Sequence, residues 1–352
     1  MTVLDDLAAL RAADPSGMLD VVSGLGDQCR DGYALGLGAR PLPEANGITS
    51  LVVVGMGGSA IAGDVVAALA ASRLRFPVAV VRTPELPESC GPQTLVVASS
   101  YSGDTAETLS LFEEAVARGC RTVAITAGGE LRGRAKKLGV GRVIVPGGFM
   151  PRAAFGYLTL GALGALEAMG IVPKQAEEVD EAVAEMAGVI ADAGPEVPST
   201  TNPAKELAIA IGELVPIVWG AAGIGSVAAA RWATQCNENA KVPSFASALP
   251  ELDHNEVVGW SQGKGTGFAI VALRHPGEHP DVAARFGLSQ EIARGSGALV
   301  REVSSRGRSE LARLLTLVQL GDLVSTYLGI ARGVDPSPIE AITSLKSALA
   351  EA

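Results

Sequence analysis

The sequence is poor in aromatic side chains: 4% of 352 residues, with three tryptophans, four tyrosines and seven phenylalanines. It has only three histidines and four cysteines. The cysteines, Cys29, Cys90, Cys120 and Cys236, form no C-x-x-C pair and none lies beside a histidine. That spacing argues against a disulfide framework or a zinc site. Scattered single thiols suit a reducing cytoplasm. Basic charge is also short, 28 Lys+Arg against 38 Asp+Glu, for a formal net charge of −10. A chain of that balance is a poor partner for nucleic acid or an anionic membrane. The N-terminus, Met1-Thr2-Val3-Leu4-Asp5-Asp6, has no basic n-region and does not read as a signal peptide.

What the chain has in excess is glycine, 43 residues, beside 20 prolines and 48% hydrophobic residues. Together Gly and Pro stay below the ~25–30% of low-complexity chains. The hydrophobic content argues against disorder. The glycines are therefore expected at local tasks, in turns and close backbone approaches. A mean hydropathy of +0.30 raises the question of a membrane. The two most apolar stretches, Leu51–Ser72 and Leu214–Ala230, are each interrupted by a glycine cluster, Gly55-Gly57-Gly58 and Gly220-Gly223-Gly225. Each reads as strand, turn and helix, and no membrane partner is expected.

Residues 3–36 read as helical, with a break at Pro15-Ser16-Gly17. Short β-branched runs then alternate with helical segments. Strands are expected at Leu51–Val54, Val78–Val81, Leu95–Ala98, Thr122–Ile125 and Val143–Val145. Helices are expected at 59–73, 105–118 and 130–138. This alternation predicts an α/β fold with a parallel sheet and right-handed crossovers. Helical stretches at 151–170 and 174–193 follow, then a loop at Asp192–Pro198. The alternation resumes with strands at Pro216–Trp219, Phe268–Leu273 and Ala298–Val303 and helices at 225–238 and 281–294. Two more helices, 308–332 and 338–350, end the chain. Pro216-Ile217-Val218-Trp219-Gly220 repeats the plan of Leu51-Val52-Val53-Val54-Gly55, so the halves read as two similar units.

Four constellations carry chemistry. Gly55-Met56-Gly57-Gly58-Ser59-Ala60 follows a strand and opens a helix, a setting in which backbone N–H groups approach an anion. Its spacing also matches a dinucleotide fingerprint. The expected acid at the end of the second strand is replaced by Val81-Arg82-Thr83, which leaves NADP open and weakens NAD. Ser99-Ser100-Tyr101-Ser102-Gly103-Asp104-Thr105 follows the next strand. Its hydroxyls at a helix start suit a phosphate monoester, while a plain N-cap by Asp104 or Thr105 is the alternative. Pro151-Arg152 places a cation in a first helical turn, against the helix dipole. That suits an anionic substrate or transition state, with a surface arginine as the alternative. The last group is Gln235-Cys236-Asn237-Glu238-Asn239-Ala240-Lys241 with Glu251-Leu252-Asp253-His254-Asn255-Glu256. A carboxylate with a histidine suits proton transfer, and solvated surface charge is the alternative.

Taken in order, Gly-Met-Gly-Gly-Ser at 55–59, Ser-Tyr-Ser-Gly-Asp-Thr at 100–105, Pro-Arg at 151–152, Asn-Glu-Asn-Ala-Lys at 237–241, His-Asn-Glu at 254–256 and Lys346 resemble the bifunctional phosphoglucose/phosphomannose isomerases. The resemblance covers residues 50–350. It implies two SIS (sugar isomerase) αβα sandwich domains with mainly parallel sheets, here expected at 1–154 and 155–352. It implies interconversion of glucose-6-phosphate, fructose-6-phosphate and mannose-6-phosphate through an enediolate. Gly58, Ser59, Ser100, Ser102 and Thr105 would hold the sugar-6-phosphate. Glu238 would be the base, Arg152 would stabilise the enediolate, and His254 and Lys346 would assist ring opening. His254 would be donated across a homodimer interface. No metal and no organic cofactor are expected, and a cytoplasmic compartment is expected. Two residues depart from the family pattern: Asp104 and Asp253 each stand where asparagine is common.

Overall fold

The computed structural model describes residues 2–351; the side chains of Lys346, Ala350 and Glu351 lie outside the described residues. Helices α1 (Leu7–Ala13), α2 (Met18–Ser23) and α3 (Leu25–Leu37) open the chain. There follow β1 (Ser50–Val54), α4 (Gly57–Ala70), β2 (Val78–Val81), β3 (Thr94–Ser99), α5 (Ala106–Ala117), β4 (Arg121–Thr126), α6 (Gly129–Lys137) and β5 (Gly141–Ile144). Three helices come next, α7 (Phe155–Ala168), α8 (Ala176–Ala193) and α9 (Pro203–Ile211). The second alternating run is β6 (Val215–Ala221), α10 (Ile224–Asn239), β7 (Phe245–Leu249), α11 (Glu256–Trp260), β8 (Phe268–Arg274), α12 (Pro280–Gly295) and β9 (Leu299–Ser304). Helices α13 (Glu310–Ala331) and α14 (Glu340–Glu351) close it.

The chain divides into two compact units that are not continuous in sequence. One comprises Gly24–Ala187 with Arg306–Leu315; the other comprises Met1–Ser23, Gly188–Ser305 and Thr316–Ala352. α7, which follows the boundary expected at 154/155, lies in the unit of the first sheet. The reason is packing against α3. Gly32 and Gly36 on α3 and Gly156 and Gly164 on α7 bring the two backbones together. A Cβ on Gly32 would stand 2.8 Å from the Tyr157 Cα, and one on Gly164 would stand 2.9 Å from the Leu37 nitrogen. Glycine in a helix interior normally costs about 0.5–1 kcal/mol relative to alanine. Here it admits a helix–helix approach that any side chain would block. Part of the glycine excess is thus explained by a helical seam as well as by turns.

In the first unit the strands are all parallel, in the order β2-β1-β3-β4-β5. β3 is buried at every position, as a strand covered by helices on both faces should be. One core groups Val52, Val54, Val96, Ala98 and Ala124 with Leu111, Phe112 and Ala115 of α5. In the other unit the parallel order is β7-β6-β8-β9, with Trp219, Ile270, Ala272 and Phe286 in its core. Both sheets reverse direction of growth beside their first strand, between β1 and β3 and between β6 and β8. Such switch points open a crevice at the carboxyl ends of the strands, where ligands bind. Among the described residues one helix, α13, is long and apolar enough to cross a membrane by length and composition, but 89% of its apolar window is buried inside the protein. That is the signature of a core helix.

Candidate functional site

In the first unit, the loops after β1 and β3 flank the switch point. Gly55 lets them meet: a Cβ there would stand 2.8 Å from the Ser99 carbonyl oxygen. Ser59, buried in the first turn of α4, accepts the Tyr101 backbone N–H at 3.2 Å. Ser100, also buried, donates to the Thr105 hydroxyl at 3.0 Å and accepts the Gly103 N–H at 3.2 Å. Gly103 itself has φ +80°, which a residue with a side chain would adopt only with strain.

The N-termini of α4 and α5 carry no side-chain cap, whereas Asp6 caps α1 and Asn202 caps α9. Thr105 does occupy the N-cap position of α5, but its hydroxyl is engaged by Ser100. Asp104 turns away: its Oδ1 accepts the Glu130 N–H of α6 at 2.9 Å. The reading of this loop as a plain cap for α5 therefore fails. Two helix N-termini with unclaimed side-chain caps, lined by hydroxyls, form a site suited to an anion. Ser102 stands apart from the buried hydroxyls: it is exposed, and its Oγ accepts the Asp104 N–H at 3.2 Å.

Arg152 comes to the same place. It lies in a 3-10 turn, Pro151–Ala154, and is only 2% exposed. A Cβ on Gly58 would approach the Arg152 Cα at 3.0 Å and its nitrogen at 3.1 Å, so the glycine loop and the arginine turn touch through backbone. Its Nη1 reaches the Met150 Sδ at 3.2 Å. Two side chains absent from the expected set hold this turn. The Tyr101 hydroxyl donates to the Pro146 carbonyl at 3.1 Å and accepts the Phe149 N–H at 2.8 Å. Burial pushes the Tyr101 phenol up, so it stays protonated for that role. Gln28 of α3 donates from Nε2 to the Ala153 carbonyl at 2.9 Å. Tyr101 lies within the Ser99–Thr105 motif; nothing local marks Gln28. Arg82, the position that left a nucleotide phosphate open, forms an ion pair with Asp64.

In the other unit, Glu238 lies on the last turn of α10, half-buried. It lines a cavity of about 430 Å3 together with Asn237, Lys241, Asp335, Ile339 and Glu340. Its neighbours in sequence are fixed. Asn237 accepts the Ser244 N–H at 2.8 Å, and Asn239 donates to Ser325 at 3.0 Å. Upstream on the same helix, Arg231 and Asp322 form a buried ion pair, 2.7 Å at the closest atoms.

His254 ends a 3-10 turn, Glu251–His254, and is exposed. Both flanks of this turn are anchored. Asp253 accepts the Ser289 hydroxyl at 2.6 Å and pairs with Arg285 at 3.4 Å. One carboxylate oxygen of Glu256 accepts the indole N–H of Trp219 at 2.9 Å and of Trp260 at 3.1 Å. Lys346 lies on α14, and its side chain lies outside the described residues. Among the described residues no group of three or more His, Cys, Asp or Glu side chains could hold a metal ion.

Two doubly wound parallel sheets, with a hydroxyl-lined switch point in the first, define a two-domain SIS-type protein. Residues 47–131 match the SIS domain model, and residues 200–349 match the bacterial phospho-glucose isomerase C-terminal SIS domain. A bifunctional phosphoglucose/phosphomannose isomerase of Caldicellulosiruptor bescii is 36% identical over 95% of this chain and 99% of its own. A D-glucosamine-6-phosphate 4-epimerase of Sulfolobus acidocaldarius is 26% identical over 72% of this chain and 77% of its own. The solved structure of a glucose-6-phosphate isomerase like protein from Thermus thermophilus shares the fold, with a TM-score of 0.64, 21% identity and 99% of each chain covered. The chain belongs to the bifunctional phosphoglucose/phosphomannose isomerase family.

Proposed function

We propose that this protein is an aldose–ketose isomerase that interconverts glucose-6-phosphate, fructose-6-phosphate and mannose-6-phosphate. The observation that carries the proposal is the contact of Gly58 with the Arg152 turn beside the paired loops. The backbone of the buried Arg152 turn meets the glycine loop there, which supports a cation beside a hydroxyl-lined anion site, the pairing that a phosphorylated, anionic intermediate needs. The curated relatives of that name support the same reading.

In this proposal Gly58, Ser59, Ser100 and Thr105 hold the phosphate, with Ser102 at the exposed edge. Binding the remote phosphate orients the reacting carbons. Glu238 takes the proton from C2 of the open-chain aldose and returns it to C1, both on one face of a planar enediolate. The negative charge that develops on the oxygens is stabilised by the Arg152 guanidinium, a preorganised electrostatic effect. In the ketose-to-aldose direction the proton is taken from C1 and returned to C2, and rotation about C2–C3 before that return yields the glucose or the mannose epimer. His254 and Lys346 assist ring opening. The anchoring of Asp253 and Glu256 leaves His254 exposed on a fixed turn, which suits donation to a second copy in a homodimer. A cytoplasmic setting fits substrates of this class and four buried, unpaired thiols.

The test is isomerisation of each of the three sugars by the purified protein, together with deuterium uptake at C2. Glu238→Gln is expected to abolish uptake while sugar-phosphate binding, read as thermal stabilisation, persists. Stabilisation of the unmodified protein without turnover would instead identify a sugar-phosphate-binding protein. Near-normal uptake in Glu238→Gln would remove Glu238 as the base.

A further inference from the structure

Lys241 is the one non-glycine residue with a left-handed backbone among the described residues, φ +53°, beside fifteen glycines with positive φ. It directly follows Ala240, the C-cap of α10. Glycine is the usual choice at this point of a helix end, because a side chain there crowds the backbone. A chain that uses glycine so freely at positive φ has a lysine where glycine would be relaxed. The side chain therefore does something that glycine cannot.

Its contacts say what. The Lys241 ammonium donates to the Glu238 backbone carbonyl at 2.7 Å and to the Pro336 carbonyl at 2.8 Å. The first acceptor belongs to the last turn of α10, whose carbonyls lack partners within the helix. The second belongs to the buried part of the segment that leads into α14. Glu238, Lys241, Asp335, Ile339 and Glu340 line one cavity, so the ammonium joins two of its walls.

We infer that Lys241 is a positioning residue for Glu238. It locks the helix turn that carries the carboxylate to the segment that leads into α14. The inference rests on the reading of Glu238 as the base. Loss of the lock leaves the phosphate loops of the other unit untouched and lets the carboxylate drift. An ångström-scale misplacement of a reacting group costs on the order of a hundredfold in rate.

Lys241→Gly separates this role from a purely structural one, because it relieves the backbone while removing the ammonium. The expected result is an unchanged or raised melting temperature and a kcat lower by about ten- to a hundredfold. KM should change by less than about threefold, because phosphate binding is elsewhere. Hydrogen exchange at residues 334–342 should quicken. Lys241→Arg, which keeps donors of similar reach, should recover most of kcat. A wild-type kcat in Lys241→Gly, or exchange at 334–342 as slow as in the unmodified protein, would overturn the inference. So would a fall in kcat matched by a fall in melting temperature. If the unmodified protein isomerises none of the three sugars, the proposed function fails, and the exchange measurement still tests the lock.

Discussion

The Asp104 carboxylate accepts the backbone N–H of Glu130 at 2.9 Å and so caps α6, the helix after the neighbouring strand. The acid thus faces a helix N-terminus, whose partial positive charge offsets it. An aspartate in a phosphate loop would otherwise repel its ligand. Here the charge is spent on the scaffold.

Asp104→Asn keeps an acceptor oxygen for Glu130. The melting temperature is expected to move little and KM for the sugar phosphates by no more than about twofold, a difference of ~0.4 kcal/mol. Asp104→Ala removes the cap and should lower stability by about 1 kcal/mol. Denaturant unfolding beside steady-state kinetics checks both. A large fall in KM for Asp104→Asn would show that the charge faces the ligand after all.

Gly58→Ala introduces a Cβ 3.0–3.1 Å from backbone atoms of Arg152 and Pro151, which have little room to give. Stability should fall by about 1–3 kcal/mol, the usual cost of overpacking. The kcat/KM should fall further, by about ten- to a hundredfold, because the arginine turn is displaced. Gly133→Ala is the control. Gly133 lies exposed within α6, with nothing within 4 Å of an added Cβ. That substitution should leave activity unchanged and stabilise by about 0.5–1 kcal/mol.

Glu256→Leu removes the acceptor shared by the Trp219 and Trp260 indoles. Each unpaired buried donor costs about 1–3 kcal/mol. Tryptophan emission should report the change directly, because these are two of only three tryptophans. Activity should fall as the turn bearing His254 loosens. Glu256→Gln keeps an acceptor oxygen and should fall between the two. Unchanged emission and activity in Glu256→Leu would show that the indole bonds do not hold the turn.

Much of this molecule was legible because strand and helix periods differ so clearly. Apolar runs such as Leu51–Val54 and Leu95–Ala98 became β1 and β3, and the glycine and serine turns after them marked the carboxyl ends of the strands. The misses have physical causes. β7 lies at a sheet edge and begins with Phe245, 59% exposed, so it shows neither a buried run nor an alternation. α9 is absent from the expected helices although its sequence signals are present. Asn202 accepts the Ala204 N–H at 3.0 Å and the Lys205 N–H at 2.9 Å, and Pro203 takes the first helical position.

Within the site, residue types were readable and partners were not. Ser100 and Thr105 stood out as hydroxyls at a helix start, yet that they bond each other depends on the loop's path. A cap by Asp104 is only the alternative reading of its loop, for the helix that follows, and the fold alone shows that its carboxylate caps α6 instead. The discontinuous units were beyond reach for the same reason. Asp5 accepts the Ser199 N–H at 2.7 Å and its hydroxyl at 2.6 Å, a tie across 194 residues that no local pattern announces.

The seam between α3 and α7 bears on how this protein can vary. Arg152 sits in the turn that runs directly into α7, and Gln28 of α3 holds that turn by its Ala153 carbonyl. Its location is therefore inherited from an interface where the permitted alphabet has shrunk to a single letter. A methyl group at Gly32 or Gly164, remote in sequence from any charged or hydroxyl side chain of the site, would pry the helices apart and carry the guanidinium with them. Screens of random variants should accordingly find inactive proteins at these silent positions as often as at the arginine itself.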